Sequence, residues 1–458
     1  MKESTVIGAA TLALCLTSSG VPAQQAGDAA VPPRLTFNLG SSLTYDDNPD
    51  LSVTGSGPLT SLDTRLGLDL NTATPGQSLQ FGLNGLGRVT SGDGLVFRDP
   101  SANLAYTLDG ANSRLSVTAL YQQSPVDLFE PVVASDGSVT PTDILATSGK
   151  ITTSSAGFSF ETGLQGPLGF DLSGNYSGRA YSDTSDPSVY DSTSEDLTAA
   201  VHLRMATGGD LSLTASASQT DYQNATQTLR NGSDLSLGYS QDLRPGLALQ
   251  ASLGESRTTT RESGSADSTS TGAIGSLGLD ADLVNGQASV QLSSTRDAVG
   301  ARQSLSFGRS LELPTGNLDA TFGLSGRRGE GSQLIGTLSY SYTLPTDNFG
   351  VNLSRQVVLN ADNLDVANTV LGVTYQHQIN DVSSLGLSVN LLATGGGGSP
   401  GVDDALRQSF STTYTRDLTA DWQLATGYQF RSLDQSSVGT AQSNSVFLTI
   451  SRKFTLRP

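Results

Sequence analysis

A single cysteine, Cys15, occurs in 458 residues, and it lies in an N-terminal segment with the pattern of a cleaved leader. The remainder therefore offers neither a disulfide framework nor a thiolate metal site. Histidine is nearly as scarce: His202 and His377 are the only two, which leaves little for proton-transfer chemistry. Lysine is confined to Lys2, Lys150 and Lys453, so 22 of the 25 basic residues are arginine, a bias that suits pairing with carboxylates along a polar interior. Apolar residues amount to 36%, lean for a globular core of this length. After residue 23 no run approaches the roughly 18 consecutive apolar residues of a membrane helix. Positive charge is short as well. The net balance of −18 speaks against nucleic acid as a partner, because phosphates need a basic footprint.

What fills the chain instead is alternation. In Ser332 to Arg355, the residues Leu334, Gly336, Leu338, Tyr340 and Tyr342 share one parity, and Ile335, Thr337, Ser339 and Ser341 the other. Leu344 to Asp347 then supplies a turn, and Phe349, Val351 and Leu353 resume the pattern. A period of two with one greasy face is a β-strand, and the whole is a hairpin with a very short turn. Segments of similar length recur from Leu35–Tyr45 and Thr60–Asn71 to Asp421–Arg431 and Ser443–Phe454, about 22 in all, with a range of 20 to 24. Strands of about 9 to 11 residues span a bilayer when tilted. The fold class expected is all-β, a single transmembrane antiparallel up-and-down β-barrel. Alternate connections are tight, such as Gly110–Asn112, Gln165–Pro167, Asn285–Gly286 and Pro345–Asp347, while the intervening ones, such as Asp46–Leu59, Ser124–Ile151 and Ala393–Arg407, are longer and polar. Short periplasmic turns and longer outer loops make that arrangement, with both termini on the periplasmic side.

The segment order follows. Residues 1–23 read as a signal peptide, with Lys2, an apolar stretch from Val6 to Leu16 and the small-residue site Val21-Pro22-Ala23. Residues 24–33 form a short periplasmic lead, and 34–458 the barrel. No plug-sized domain precedes Leu35, so occlusion of the lumen is expected from inward-folded loops, Ser124–Ile151 foremost.

Opposite the apolar parity stand Asp63, Arg65, Asp69, Arg88, Arg114, Asp171, Arg179, His202 and Arg204, which are the expected pore-lining residues. An Arg or Lys facing lipid at the bilayer midplane costs about 2 to 4 kcal/mol, so charges kept to one parity mark a wet or plugged interior. Pairing across neighbouring strands and solute selectivity are equally open roles for them. Arg309 breaks the rule by sharing parity with Leu305, Phe307 and Leu311, which implies a shifted register or snorkelling at a rim. His202 is expected in the lumen and His377 at an interface. Neither has a privileged Ser or carboxylate partner in the spacing, so no catalytic residue is assigned and no enzyme is expected. The acidic stretches Asp46-Asp47-Asn48-Pro49-Asp50 and Asp183, Asp186, Asp191 offer hard oxygen ligands but match no EF-hand spacing. Solvated loops and weak Ca²⁺ or Mg²⁺ binding both remain open, and no metal or cofactor is assigned. The run Gly395–Ser399 lacks the Lys-Ser/Thr and strand-to-helix context of a phosphate loop.

Two stretches carry a resemblance. Phe37-Asn38-Leu39-Gly40-Ser41-Ser42-Leu43-Thr44-Tyr45-Asp46-Asp47-Asn48 is similar to the opening strand and turn of the β-barrel porins of Gram-negative outer membranes. Phe447-Leu448-Thr449-Ile450-Ser451-Arg452-Lys453-Phe454 resembles their closing strand, although Thr455-Leu456-Arg457-Pro458 follow where the family ends on the aromatic. The resemblance implies an outer-membrane barrel acting as a passive channel or as an export conduit for polar solutes or polysaccharide. The partners implied are outer-membrane lipid and lipopolysaccharide, the barrel-insertion machinery and an unknown polar solute. The alternative is a structural or adhesive surface protein, either a closed barrel or a secreted β-protein.

Overall fold

A computed structural model describes residues 31–90, 94–126, 149–184, 189–206, 208–329, 331–396, 404–436 and 439–456. The signal peptide, the lead up to residue 30, the greater part of Ser124–Ile151, Asp186, Gly397–Ser399, Arg457 and Pro458 lie outside the described residues. The described chain is a succession of strands. They begin with β1 (Val31–Asp46), β2 (Leu59–Thr74), β3 (Gln77–Thr90), β4 (Val96–Asp109), β5 (Ser113–Pro125), β6 (Lys150–Thr162), β7 (Leu168–Ser182) and β8 (Ser192–Arg204). Then come β9 (Gly209–Tyr222), β10 (Thr228–Arg244), β11 (Leu247–Arg261), β12 (Ser268–Leu283), β13 (Gly286–Arg296), β14 (Ala301–Leu313) and β15 (Gly316–Arg327). The last are β16 (Gln333–Thr343), β17 (Asp347–Leu359), β18 (Asp365–Asn380), β19 (Ser383–Gly395), β20 (Ala405–Asp417), β21 (Trp422–Gln435) and β22 (Gly439–Leu456).

Each strand pairs antiparallel with its chain neighbours, and β1 pairs with β22 from Leu35↔Leu456 to Asp46↔Ser445. The sheet thus closes on itself and leaves no edge, which is the condition for strands to cross hydrocarbon. Tight turns gather at one rim, and at two of them, Pro75-Gly76 and Pro245-Gly246, glycine takes φ of 85° and 77° that a side chain would resist. The longer connections gather at the other rim, so the tight-turn rim is periplasmic.

Exposure shows which face meets lipid. Leu253 is 70% exposed and Leu237 52%, whereas Thr228 and Ser443 are fully buried. The greasy side chains point outward and the polar ones inward, the inverse of a globular core. The hairpin of β16 and β17 follows suit, with Leu338 opposite Leu353 on the outer face and Ser339 opposite Asn352 on the inner.

Strands outrun the alternation that revealed them. β22 starts at Gly439 and β21 ends at Gln435, both beyond the expected Ser443 and Arg431 on the outer side. Above the membrane both faces meet water, so nothing enforces a period of two there. β1 also pairs earlier than residue 34, at Val31↔Ala73, and its register shifts between Val31 and Arg34, where Pro32 and Pro33 have no amide to donate.

Arg309 keeps its outward register opposite Ala288. It resolves its conflict by reaching the periplasmic turn, where its guanidinium donates to the Gln287 carbonyl (2.9 Å) and to Asn285 Oδ1 (2.7 Å). Snorkelling is therefore the explanation. Arg452 does the same at the closing strand. It lies 5.3 Å from the Trp422 ring and 4.4 Å from the Phe454 ring, and Phe454 meets Phe37 across the closure at 5.9 Å. These rings belong to the aromatic belt at the periplasmic interface. His377 joins that belt, stacked on Tyr375 with its Nδ1 2.8 Å from Asp347.

Candidate functional site

The lumen is the inward parity of all these strands, and its charges are arranged by register. Asp63 faces Arg88 directly across the β2–β3 ladder, and the guanidinium grips the carboxylate twice, at 2.7 and 2.8 Å. Arg65 is the next inward residue of β2 and lines the same cavity. Asp69, deeper, accepts from Asn38 Nδ2 at 2.8 Å. A second group sits on β7–β9 near the periplasmic turns. His202 places Nε2 2.8 Å from Asp171 and Nδ1 3.2 Å from Asp210, and Arg204 reaches Asp210 at 3.7 Å. Each ring nitrogen of His202 is thus placed against a carboxylate. Arg204 also donates to the turn carbonyls of Gly163 (2.5 Å) and Gly166 (3.1 Å), so it braces the rim. Arg114 pairs with Asp109 at 2.6 Å in an exposed turn, and Arg179 lies inward near the outer end of β7. The nine lumen residues are therefore spread over the wall instead of meeting at one centre.

Sequence reasoning missed a denser array at the outer mouth. Arg431 of β21, on the inner face, donates to Asp46 at 2.7 Å and to Ser443 Oγ at 3.1 Å, and Ser443 donates to Asp46 at 2.8 Å. All three are buried. Asp47 accepts from the amide and the side chain of Asn444 across the closure, which hold its carboxyl below the usual range. Asn48 folds the loop: its Oδ1 accepts from Ser52 N and Ser56 N, and its Nδ2 donates to Ser52 O and Gln442 O. The acidic stretch at 46–48 is thereby occupied by protein donors that tie β1 to β22. In the other acidic stretch, Asp183 is held low by its 2.6 Å hydrogen bond from Lys150, and Asp191 accepts from Tyr181 N.

Two loops turn inward over the lumen. The β1–β2 loop seats Leu51, in a left-handed conformation (φ 48°), in an apolar socket of Val370, Leu392, Ala405, Leu433 and Ala441 on the inner wall. The β17–β18 loop is held from the opposite wall by Arg230 of β10, which donates to the carbonyls of Asn360 (2.5 Å) and Ala361 (3.0 Å) and to Asn363 Oδ1 (2.9 Å). Asp365, at the foot of the same loop, is clasped by Arg302 and Arg327, and Arg327 also grips Asp297 at 2.5 and 2.7 Å. Burial pushes the Asp297 carboxyl up, but the hydrogen bond and charge of Arg327, with the amides of Val299 and Gly300, outweigh it and hold it low. From β20, Arg407 reaches the Val126 carbonyl at 2.6 Å, so the first residue past β5 also joins the mouth. One signal for these sites was in the sequence: Arg230, Arg302, Arg327, Arg407 and Arg431 all stand at outer strand ends on the inward parity. Beneath the mouth the wall of β1–β4, β21 and β22 encloses a cavity of about 1010 Å³ lined by Asp63, Arg65, Arg88, Arg98 and Phe447 among others.

No protein-family model and no curated protein matches the chain. Solved structures do. The ferric-catecholate import receptor Fiu from E. coli K12 aligns with a TM-score of 0.53 at 11% identity, over 91% of this chain and 81% of that one. The FrpB iron transporter from Neisseria meningitidis gives 0.56 at 10% identity, over 92% and 82%. The ferric enterobactin receptor PfeA from Pseudomonas aeruginosa gives 0.51 at 11%, over 92% and 81%. At such identities the likeness is one of fold. The chain is an outer-membrane β-barrel, of 22 strands among the described residues, and its resemblance to porins holds at the level of the barrel.

Proposed function

We propose that this barrel is a passive, porin-like conduit for polar solutes, or for polysaccharide on export, narrowed at its outer mouth by its own loops. One observation carries the reading: charges within the strands, such as Asp63, Arg65, Arg88 and Asp171, face inward along a hydrophilic wall, where they would face a permeating solute instead of lipid. The outward band would meet lipid and lipopolysaccharide, the closing strand would meet the insertion machinery, and no chemical step is assigned to the lumen.

Purified protein in planar bilayers is expected to give discrete conductance steps that grow when Arg230→Ala frees the β17–β18 loop. A bilayer that stays sealed at high protein load, with wild type and variant alike, would overturn the conduit. The loops tied across the mouth favour, as a second reading, a closed barrel with a structural or adhesive surface role, and a sealed bilayer would support it. An importer of the kind named for the similar structures would also leave the bilayer sealed, but would bind a ferric catecholate from the outer side.

A further inference from the structure

We propose that the wall cavity of β1–β4, β21 and β22 is a binding site for an acidic saccharide, a sugar ring bearing a carboxylate; the inference rests on the conduit reading for the route by which solute reaches it. The chain carries 43 acidic residues against 25 basic, so a guanidinium without a carboxylate beside it is unexpected on composition. Around this cavity Arg88 is matched to Asp63, Arg431 to Asp46 and Lys150 to Asp183. Arg65 and Arg98 line it too, and among the described residues neither closes onto a carboxylate at salt-bridge distance, although the charge of Asp99 on the same wall is felt by both. Two planar forks whose donors are not closed onto a carboxylate, in a wall facing water, suit a carboxylate ligand.

The opposite side of the cavity supplies a different kind of surface. Along the inner face of β22 the residues are Ser443, Ser445, Phe447, Thr449 and Ser451, so one large aromatic interrupts a row of hydroxyls. Phe447 lies across Gly427 of β21: a Cβ at that glycine would come within 2.6 Å of the ring tip. The ring is thereby laid along the wall, and it remains half-exposed where water would otherwise meet it. A flat aromatic beside hydroxyl and amide side chains complements the C–H face and the hydroxyls of a pyranose. Gly40 and Gly67 line the cavity as well, and a volume of about 1010 Å³ has room for an oligosaccharide, well beyond that for a lone ion. Together these features call for a ligand with an apolar ring face, many hydroxyls and a negative charge.

The test is calorimetric titration of the full-length protein in detergent with trigalacturonate, maltotriose and inorganic phosphate. Trigalacturonate is expected to bind, with maltotriose and phosphate each at least about tenfold weaker, since a charge-assisted pair is worth roughly one decade or more. The double variant Arg65→Gln/Arg98→Gln should lose about tenfold on trigalacturonate and leave maltotriose unchanged. Phe447→Ser should weaken both sugars in protein that still shows a heat-modifiable gel shift. Absence of binding at millimolar trigalacturonate, equal binding of maltotriose or phosphate, or an unaltered double variant overturns the proposal. Conductance without binding defeats this inference alone, whereas binding without conductance defeats the conduit and leaves the site standing.

Discussion

Removing the arginine that locks the barrel closure should expose how much of the fold depends on it. In Arg431→Met the Asp46 carboxylate keeps Ser443 Oγ and the Asn48 amide as donors but loses the cation at 2.7 Å. The side chains of Arg431 and Asp46 are 6% and 12% exposed, so water cannot replace the guanidinium without opening the β1–β22 contact. Breaking one partner of a buried pair costs about 3 to 5 kcal/mol, whereas deleting both charges is close to neutral. The double variant Asp46→Asn/Arg431→Met should therefore recover most of the loss. Urea titration of protein folded in vesicles, read by the fluorescence of Trp422 on the same strand as Arg431, measures both. Trp422 is the single tryptophan and lies at the periplasmic end of β21, the rim opposite Arg431, so its signal reports unfolding of the whole barrel. A single variant within about 1 kcal/mol of wild type, or a double variant as weak as the single, would refute a closure lock at this pair.

Other outcomes follow from the same mouth. Leu51→Ala empties an apolar socket, a change of about 2 to 5 kcal/mol in packed interiors. Here it should release the β1–β2 loop to limited proteolysis while the barrel keeps its gel mobility, and an unchanged cleavage pattern would count against the anchored loop. Asp47 and Asp297 both have folded-state pKa values below their unfolded ones, so their stabilising contribution is present above about pH 4 and is lost as pH falls through the lower folded values. Hydrogen exchange at residues 297–300 and 444 should accelerate below about pH 4 and stay flat between pH 5 and 8. Acceleration that begins near pH 6 would point to a different titrating group.

The barrel was legible in the sequence because lipid on one side and water on the other impose a period of two, and 22 separate stretches such as Leu338-Ser339-Tyr340 show it. The first and last strands were legible from the resemblance of Phe37–Asn48 and Phe447–Phe454 to opening and closing strands, whereas the contact of Phe37 with Phe454 exists only in the closed sheet. Strand ends were not legible, because above the membrane both faces of β21 and β22 are wet and the pattern lapses. The inward charges were found by parity, but their partners depend on register. Asp63 and Arg88 meet across one hairpin, whereas Asp46 and Arg431 are 385 positions apart and meet only because the sheet closes. Arg230 and Asn360, 130 apart, meet only because a loop folds inward. The Asp-Asp-Asn run read as a ligand-like loop for the same reason: its donors, Asn444 and Arg431, come from the far end of the chain.

Two neighbouring arginine substitutions on β16 test the sidedness of the barrel most directly. Leu338 lies midway along the strand on the outer face, opposite Ala320 and Leu353, and Ser339 lies on the inner face, opposite Asp319 and Asn352. Insertion into lipid vesicles, scored by the heat-modifiable gel shift, should fall for Leu338→Arg by an amount matching about 2 to 4 kcal/mol. Ser339→Arg should insert as wild type does, because its guanidinium enters water beside Asp319. Normal insertion of Leu338→Arg together with failure of Ser339→Arg would mean that the barrel wall is turned inside out.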